Sequence, residues 1–419
     1  MNLNNILNEE KKLVELDKKT LSYLRKETNL LVELLRKEIG RKGEVFVGGS
    51  FAKGTLLKTD NYDIDIYARF DWRIENISGI LEKSIKKICG KLDVEMKKVH
   101  GSRDYFRLKR GESLTFEIIP VYKINKPREA RNVTDLSYFH VNYVRKKLKE
   151  NNIGKEILIA KKFCQSQGVY GAEDYIRGFS GYGLECLMIH YKSFEKALRG
   201  LVKVQDRLII DSAKAYKNKN DVLFSLNESK LQSPVILVDP TWKERNALSA
   251  LSKETFMKFQ ESARKFLDKP SLDFFELKEL NLSNFKKLKG EFLHLKISTN
   301  RQEGNIAGTK MKKFSMYLER EMKRYFDILK SKFAYDGGQF SDLYLVLNAK
   351  KEVVRQGPPV KIEKHAKEFR KRNKNIFSKG GYLYSRQKIN FTGKDFMEKF
   401  AKNERKKLGE MGIVDIKIM

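Results

Sequence analysis

The sequence predicts a multidomain α+β protein, and three patterns along the chain indicate this class. Short β-branched and aromatic runs alternate with a helix near 75–90 between positions 44 and 125, and helices dominate from about 135 to 265, with 155–167 and 181–201 the clearest. Strands return beyond about position 266, together with a helix near 310–332 and a basic helix. A chain of 419 residues has room for two to four domains with ample cores. We expect a domain built on a mixed sheet at 1–135, a helical central domain at 136–265 and a C-terminal α/β region at 266–419.

The N-terminal part reads as helix, strand and glycine turn. Residues 9–39 carry apolar side chains at helical spacing, which predicts one or two amphipathic helices packed on the sheet. Residues 44–47 form a buried strand, and the two glycines after it allow the backbone to approach a ligand closely. Ser50 then opens a short helix whose free N–H groups attract phosphate, and Lys53 adds a cation one turn on. The alternative is a plain strand-to-helix connection.

Two carboxylates follow the turn at strand spacing. Asp63 and Asp65 share one face of a strand, while Ile64 and Ile66 pack inward. Carboxylates this close repel each other unless a cation lies between them, and Mg²⁺ prefers carboxylate oxygens together with substrate phosphates. A solvated edge strand is the competing interpretation.

A third acid lies inside the apolar run 114–121. A charge in such a strand is costly without a partner, so Glu117 either points off the sheet edge or completes a ligand set with Asp63 and Asp65. Two metal ions about 3.5–4 Å apart would clamp the attacking and leaving oxygens of an in-line displacement. The pattern therefore predicts metal-dependent phosphoryl or nucleotidyl transfer.

These residues resemble the polymerase-β-like nucleotidyltransferases, and further motifs narrow the resemblance to the archaeal, class I type of CCA-adding enzyme. The clear resemblance covers roughly residues 40–275 and continues weakly around 357–359. The matching segments are Gly49-Ser50, Asp63-Ile64-Asp65, residues 116–122, residues 168–173, residues 177–182, Val238-Asp239-Pro240 and Arg245-Asn246. The resemblance implies a polymerase-β-like palm as the first domain, and addition of C, C and A to the tRNA 3′ end from CTP and ATP without a template.

The resemblance also assigns roles to individual residues. The metal ligands would be Asp63, Asp65 and Glu117, and Arg245 would read the incoming base. The residues that would contact the nucleotide or its triphosphate are Ser50, Lys53, Ser137, His140, Lys161 and Tyr170.

Two positions depart from the family pattern. Glu117 stands where aspartate is usual, so its longer arm must withdraw slightly to ligate metal. Lys53 stands where arginine is usual, which keeps the charge but loses the bidentate fork.

Most of these residues also have ordinary structural interpretations. Lys161 suits an exposed basic helix face, Tyr170 suits packing after a helix-ending glycine, and His140 suits a core histidine with one hydrogen bond. Arg245 has a chemical argument of its own, because a guanidinium only donates and so favours cytosine and adenine over uracil and guanine. The alternative is that Arg245 pairs with Asp239 or Glu244.

The net charge and the composition indicate what kinds of partner the protein binds. The net charge of +32 favours a polyanionic partner, because neutralised phosphates release counterions. The basic stretch 361–374 suits RNA contact, although a solvated helix face is the alternative. Three scattered cysteines form no metal-ligand pattern, and no apolar run has the length of a membrane span.

The sequence thus predicts a cytoplasmic CTP/ATP:tRNA nucleotidyltransferase that uses Mg²⁺ and binds the tRNA acceptor stem and 3′ end. The resemblance also implies a homodimer. The competing functions are a poly(A) or terminal uridylyl type of RNA nucleotidyltransferase and an inactive RNA-binding homologue.

Overall fold

The computed structural model describes residues 2–101, 103–277 and 282–419. The backbone divides into two compact units, Met1–Leu277 and Lys278–Met419. The expected boundary at residue 266 falls inside the helix Lys253–Asp268, whose residue Phe266 is buried in the core of the first unit. The first compact unit therefore holds both the sheet and the helical region predicted before that boundary.

The first unit begins with two helices and alternates strands and helices before becoming mainly helical. Its helices are α1 (Leu3–Leu13), α2 (Lys18–Ile39), α3 (Gly49–Lys53), α4 (Ile77–Leu92), α5 (Ser137–Glu150), α6 (Gly154–Ser166), α7 (Gly181–Tyr191), α8 (Phe194–Val202), α9 (Lys219–Ser225), α10 (Glu228–Leu231) and α11 (Lys253–Asp268). Its strands are β1 (Gly43–Val47), β2 (Tyr62–Phe70), β3 (Met96–Val99), β4 (Tyr105–Arg110), β5 (Leu114–Tyr122), β6 (Leu208–Ile210), β7 (Val235–Asp239) and β8 (Trp242–Asn246).

The main sheet has the strand order β1-β2-β5-β4-β3. Strands β2 and β5 run parallel, and the other neighbours are antiparallel, so the predicted mixed sheet is confirmed. Ile64, Ile66 and Ile118 are fully buried on the face that packs against α2 and α4. The opposite faces of β2 and β5 are thereby left to carry polar side chains.

Helix α2 shows how the N-terminal sequence encodes its structure. Asp17 caps it by accepting from the backbone N–H of Thr20 at 2.8 Å. Leu24, Leu31 and Leu35 recur at helical spacing and are buried against the sheet. Gly40, with φ of +56°, ends the helix. The prediction of one or two amphipathic helices over residues 9–39 is confirmed by α2, whereas α1 begins earlier, at Leu3, and buries Ile6 and Leu7 in the core of the helical region.

The helical region is built around phenylalanine side chains, among them Phe163, Phe259 and Phe266. The sequence predicts one helix over 181–201, but the structure has two. Helix α7 ends at Tyr191, because the next residue, Lys192, has a φ of +60°. Ser193 then caps α8 by accepting from the N–H of Lys196. Serine offers the backbone a local hydrogen bond that competes with helix continuation.

The second unit consists of two antiparallel sheets with helices. Its helices are α12 (Ser283–Lys286), α13 (Gly304–Met322), α14 (Glu363–Arg372), α15 (Gly393–Asn403) and α16 (Arg405–Glu410). Its strands are β9 (Glu291–Thr299), β10 (Phe326–Tyr335), β11 (Phe340–Ala349), β12 (Glu352–Pro359), β13 (Ile376–Lys379), β14 (Tyr382–Lys388) and β15 (Ile413–Ile418). The strand orders are β10-β11-β9-β15 and β12-β14-β13.

One expectation for this unit is wrong. The sequence predicts a helix over 310–332, whereas α13 ends at Met322 and β10 begins at Phe326. Strand β10 pairs with β11 along almost its whole length, and these hydrogen bonds come from residues that local periodicity does not reveal.

The basic stretch 361–374 forms α14, which packs through Ala366 and exposes most of its cations. In the part of the chain that the structure describes, no helix is both long and apolar enough to cross a membrane.

Candidate active site

The parallel pairing of β2 with β5 brings the predicted carboxylates onto neighbouring strands. Asp65 lies directly opposite Glu117, and Asp63 lies opposite Thr115. Ile64 alternates with the two aspartates and is fully buried, which confirms that the aspartates share the outer face of β2. Three acidic side chains from two distant segments therefore meet at one place on the sheet.

Of the two positions that the sequence allows for Glu117, the sheet edge is wrong, and its carboxylate has a further partner on a neighbouring strand. Strand β5 lies inside the sheet rather than at its edge, and the Glu117 carboxylate is paired with Arg107 on the neighbouring strand β4. Arg107 donates to Oε1 of Glu117 from Nε at 2.8 Å, and its Nη2 lies 2.7 Å from the same oxygen. Among residues 2–101, 103–277 and 282–419, no three His, Cys, Asp or Glu side chains are arranged to hold a metal ion.

The pKa values of the three carboxylates are nevertheless all raised, so the positive charge around them does not balance their negative charge. Burial and the Glu117 charge raise the pKa of Asp65 to about 7, against the opposing charge of Lys53. Burial also raises the pKa of Asp63 and of Glu117, in both cases against the charge of Arg107. A divalent cation would restore the charged forms, so the donor chemistry fits a metal, provided that Glu117 exchanges Arg107 for the ion.

The glycine turn packs directly on the strand that carries the aspartates. A Cβ atom at Gly49, whose φ is +58°, would lie 1.7 Å from Oδ2 of Asp65, and one at Gly48 would lie 2.2 Å from the ring of Tyr67. The sequence interpretation ascribed these glycines to close approach of a ligand, whereas the structure shows close approach to Asp65 and Tyr67. Ser50 lies in the first turn of α3, beside this contact.

Lys53 and Lys161 meet at a buried acid that the sequence interpretation missed. Lys53 donates to Oε2 of Glu185 at 2.6 Å, and Lys161 donates to Oε1 at 2.7 Å. Thr55 donates to Oε1 as well, at 2.7 Å. Lys161 is buried, so the exposed basic face that the sequence allowed is wrong. Burial acts to raise the pKa of Glu185, but Lys161 and Lys53 lower it to about 2.

Tyr170 lies beside the same cluster. A Cβ atom at Gly181, at the start of α7, would lie 2.8 Å from the Tyr170 hydroxyl oxygen. Burial raises the pKa of Tyr170, the Glu185 charge adds to the rise, and the Lys53 charge opposes it. The phenol therefore remains protonated and able to donate a hydrogen bond.

A second buried acid, Asp239, gathers the remaining predicted residues. Its Oδ2 accepts from Nη1 of Arg245 at 2.8 Å and lies 3.2 Å from Nε2 of His140. Its Oδ1 accepts from the Tyr182 hydroxyl at 2.9 Å, and the Tyr182 ring stacks on His140 with centroids 3.8 Å apart. Arg245 thus has the partner that the sequence named as its alternative, and His140 is buried with the one hydrogen bond expected of a core histidine.

Ser137 stands apart from these two clusters. It is the first residue of α5, and its hydroxyl lies near the phenol of Tyr67 on β2, where it opposes the rise in pKa that burial gives this tyrosine. This contact joins the helical region to the strand of Asp65. Arg107 and Glu185 are the two residues that sequence reasoning missed, and a signal existed for Glu185, an acid in the apolar run Leu184 to Leu187.

Comparison with known proteins places this site in a family. Residues 8–136 match the model of a nucleotidyltransferase domain, and residues 155–276 match the second domain of tRNA nucleotidyltransferases. The fold resembles that of a cytoplasmic RNA terminal U-transferase, with a TM-score of 0.51 and 12% identity, covering 67% of this chain and 99% of that one. The fold and the matched models define a nucleotidyltransferase.

Two archaeal relatives narrow the class. The chain is 30% identical over 407 residues to the CCA-adding enzyme of Methanocaldococcus jannaschii, covering 91% of this chain and 86% of that enzyme. It is 41% identical over 215 residues to the CCA-adding enzyme of Nanoarchaeum equitans, where the alignment spans 51% of this chain and about half (52%) of the relative. The chain belongs to the family of CCA-adding enzymes.

Proposed function

We propose that this protein adds C, C and A to the 3′ end of tRNA, using CTP and ATP without a nucleic-acid template and releasing pyrophosphate. The observation that carries the proposal is the position of Asp65 directly across from Glu117, with Asp63 on the same face of β2. This arrangement occurs in a chain that aligns with a CCA-adding enzyme over 91% of its length.

The three carboxylates would hold two Mg²⁺ ions. Their raised pKa values support this role, because a site with surplus negative charge is completed by a cation. Bound there, the ions would lower the pKa of the attacking 3′ hydroxyl and neutralise charge on the leaving pyrophosphate. Asp63 and Asp65 share one face of β2, and Glu117 would join them as a ligand once its carboxylate no longer pairs with Arg107.

The other predicted residues would bind the nucleotide. The residues proposed for the triphosphate are Ser50, Lys53, Lys161 and Tyr170, those proposed for the nucleoside are Ser137 and His140, and Arg245 is proposed for the base. The clustering of Lys53, Lys161 and Tyr170 around Glu185 supports the first group. Support for the base contact comes from Asp239, which holds one guanidinium nitrogen of Arg245 and so fixes its direction.

The second unit would hold the acceptor stem through its exposed cations, with α14 as the first candidate. A homodimer and a cytoplasmic location complete the proposal, both as the sequence predicts them.

The decisive experiment supplies the purified protein with tRNAs that end before, within and after CCA, together with each nucleoside triphosphate in turn. We expect C to be added until two are present, A to be added once, and the completed tRNA to remain unextended. Equal extension of generic RNA with ATP or UTP alone would contradict the proposal and favour a terminal transferase.

A further inference from the structure

Glu185 is a buried carboxylate that the reaction proposed above does not use. It is fully buried on α7, between the buried apolar residues Leu184 and Leu187. An ion in such surroundings is strongly unfavourable unless partners compensate it, and removing those partners from a buried pair typically costs several kcal/mol. Its partners here are Lys53, Lys161 and Thr55, which come from two other parts of the chain.

We propose that Glu185 is a positioning residue that holds the ammonium group of Lys53 in place for the triphosphate of the incoming nucleotide, which rests on the function proposed above. Lys53 is the last residue of the short helix α3, and its side chain is 9% exposed. Lysine has a long flexible arm and no guanidinium fork. A carboxylate oxygen 2.6 Å from Nζ fixes that arm before the nucleotide arrives.

Lys161 and Thr55 act as the anchor of Glu185. An ammonium has three N–H donors, and Lys161 directs them to the Thr55 carbonyl at 3.0 Å, the Thr55 hydroxyl at 3.0 Å and Glu185 at 2.7 Å. All three donors of Lys161 therefore have acceptors within the protein. Contact of Lys161 with a phosphate would require it to release one of them.

The charge balance indicates that Lys53, rather than Lys161, offers its positive charge to the nucleotide. Lys161 and Glu185 neutralise each other, so the cluster of Lys53, Lys161 and Glu185 keeps one net positive charge. The Lys53 charge also acts on Asp65, the carboxylate of the metal site, and on Tyr170. Lys53 thus lies between the buried anchor and the groups that face the reaction.

A double-mutant cycle tests this role. We would measure the dissociation constant of CTP with Mg²⁺ by calorimetry for the wild type, Glu185→Gln, Lys53→Met and the double variant. Glu185→Gln should weaken CTP binding about tenfold, because Lys53 loses a charge-assisted hydrogen bond. In the Lys53→Met background the same change should weaken binding less than about twofold, since the side chain being positioned is gone.

Two further comparisons separate positioning from general loss of structure. Glu10, another buried glutamate of the first unit, provides the matched control, and Glu10→Gln should leave CTP affinity unchanged. If Glu185→Gln does not fold, Lys161→Met/Glu185→Gln leaves no unpaired buried ammonium at position 161. Its CTP affinity is then compared with that of Lys161→Met, where Glu185 still holds Lys53, and the same tenfold loss is expected.

The outcomes are distinct. If Glu185→Gln weakens CTP binding equally in the wild type and in the Lys53→Met background, or causes no loss in a folded protein, the positioning role is overturned. Failure of the wild type to bind CTP would overturn it too. Coupled losses of CTP affinity in a protein that adds no nucleotide to tRNA would support the positioning role and reject the proposed function.

Discussion

Two acidic clusters in the first unit, one around Asp65 and one around Glu185, differ in whether carboxylates or cations are in excess. Around Asp65 the carboxylates outnumber the cations, and the pKa of Asp65 is raised by burial and by Glu117 to about 7. Around Glu185 the cations outnumber the carboxylates, and although burial again acts to raise its pKa, Lys161 and Lys53 lower it to about 2. Burial is common to both clusters, so the neighbouring charges decide the outcome.

This difference in charge balance separates a cluster that would be completed by a bound cation, around Asp65, from one whose charges are already paired within the protein, around Glu185. A carboxylate with a matched cation is a complete part of the folded protein, as Asp239 is with Arg245. A group of carboxylates without matched cations is destabilising unless an ion binds there. Replacing Asp65 should therefore harm function rather than stability, and replacing Asp239 should harm stability.

Asp65→Ala should have the largest effect of all. We expect nucleotide addition to fall by at least about 1000-fold, because metal ions contribute several kcal/mol to the stabilisation of such transition states. The midpoint of thermal unfolding should stay the same or rise, since the substitution removes a carboxylate whose charged form the fold disfavours. The measurements are single-turnover incorporation of CMP into tRNA and calorimetric unfolding.

Asp60 offers the matched control for this change, because it is exposed just before the same strand. Asp60→Ala should retain activity. Unchanged turnover in Asp65→Ala would reject the metal assignment, and a large loss of stability would reject the interpretation of the cluster as incomplete.

Asp239→Asn should, in contrast to Asp65→Ala, reduce the stability of the folded protein. Asp239 accepts on both oxygens, from Arg245 on Oδ2 and from the Tyr182 hydroxyl on Oδ1. An asparagine amide has only one acceptor oxygen and no charge, so the donors on one side lose their acceptor and the half-buried guanidinium of Arg245 loses its counter-ion. We expect the free energy of unfolding to fall by about 3 kcal/mol, measured by chemical denaturation. The exposed pair of Asp71 with Arg73 is the control, and Asp71→Asn should leave the unfolding midpoint unchanged within error. Similar midpoints for both variants would contradict the comparison.

The contrast also explains what the sequence reveals about the site. Strand periodicity predicts that Asp63 and Asp65 share a face, and family resemblance links them to Glu117, because both signals are local or carried by motifs. The partner that Glu117 takes, Arg107, depends on the antiparallel pairing of β4 with β5, and no local pattern reports that register. Lys161 is misjudged for the same reason, since its burial depends on Glu185 from another helix.

The fold follows the same division. Helix α2 is predicted by its apolar periodicity and α6 by the glycine that ends it, and both signals act over a few residues. Strand β10 is misread as helix because its structure depends on pairing with β11. Long-range pairing therefore marks the limit of the sequence prediction in both the fold and the site.

A smaller effect should appear in the pH dependence of stability. Folded Asp65 has a pKa of about 7 and an unfolded aspartate about 3.9, so between these values the native state holds a proton that the unfolded state has lost. Stability of the metal-free protein should consequently decrease as pH rises from about 4 to 7. Glu185 contributes nothing in this window, because its depressed pKa changes stability only between about 2 and 4.5.

Asp65→Asn isolates this contribution. The difference in unfolding free energy between the wild type and the variant should shift against the wild type by roughly 2 kcal/mol between pH 4.5 and 6, measured by denaturation in a chelator. Addition of Mg²⁺ at pH 7 should stabilise the wild type more than the variant. Parallel pH curves for the two proteins would show that Asp65 ionises normally.

The smallest effect concerns charges that are neither buried nor paired inside a cluster. Lys367 and Arg370 are exposed on α14, in contrast to the buried Lys161. Replacing both by alanine should weaken tRNA binding about fivefold and reduce the salt dependence by about two released ions, because each phosphate contact contributes roughly one. CTP affinity should not change.

Lys86 and Lys87, exposed on α4 of the first unit, give a control with the same loss of net charge. If α14 contacts the tRNA directly, the α4 variant should lose less than about twofold in affinity. Equal losses of tRNA affinity in the two variants would show that the overall positive charge of the protein attracts tRNA and that α14 makes no specific contact with it. Either result measures how far solvent-exposed charges differ from the buried ones, whose partners are fixed by the fold.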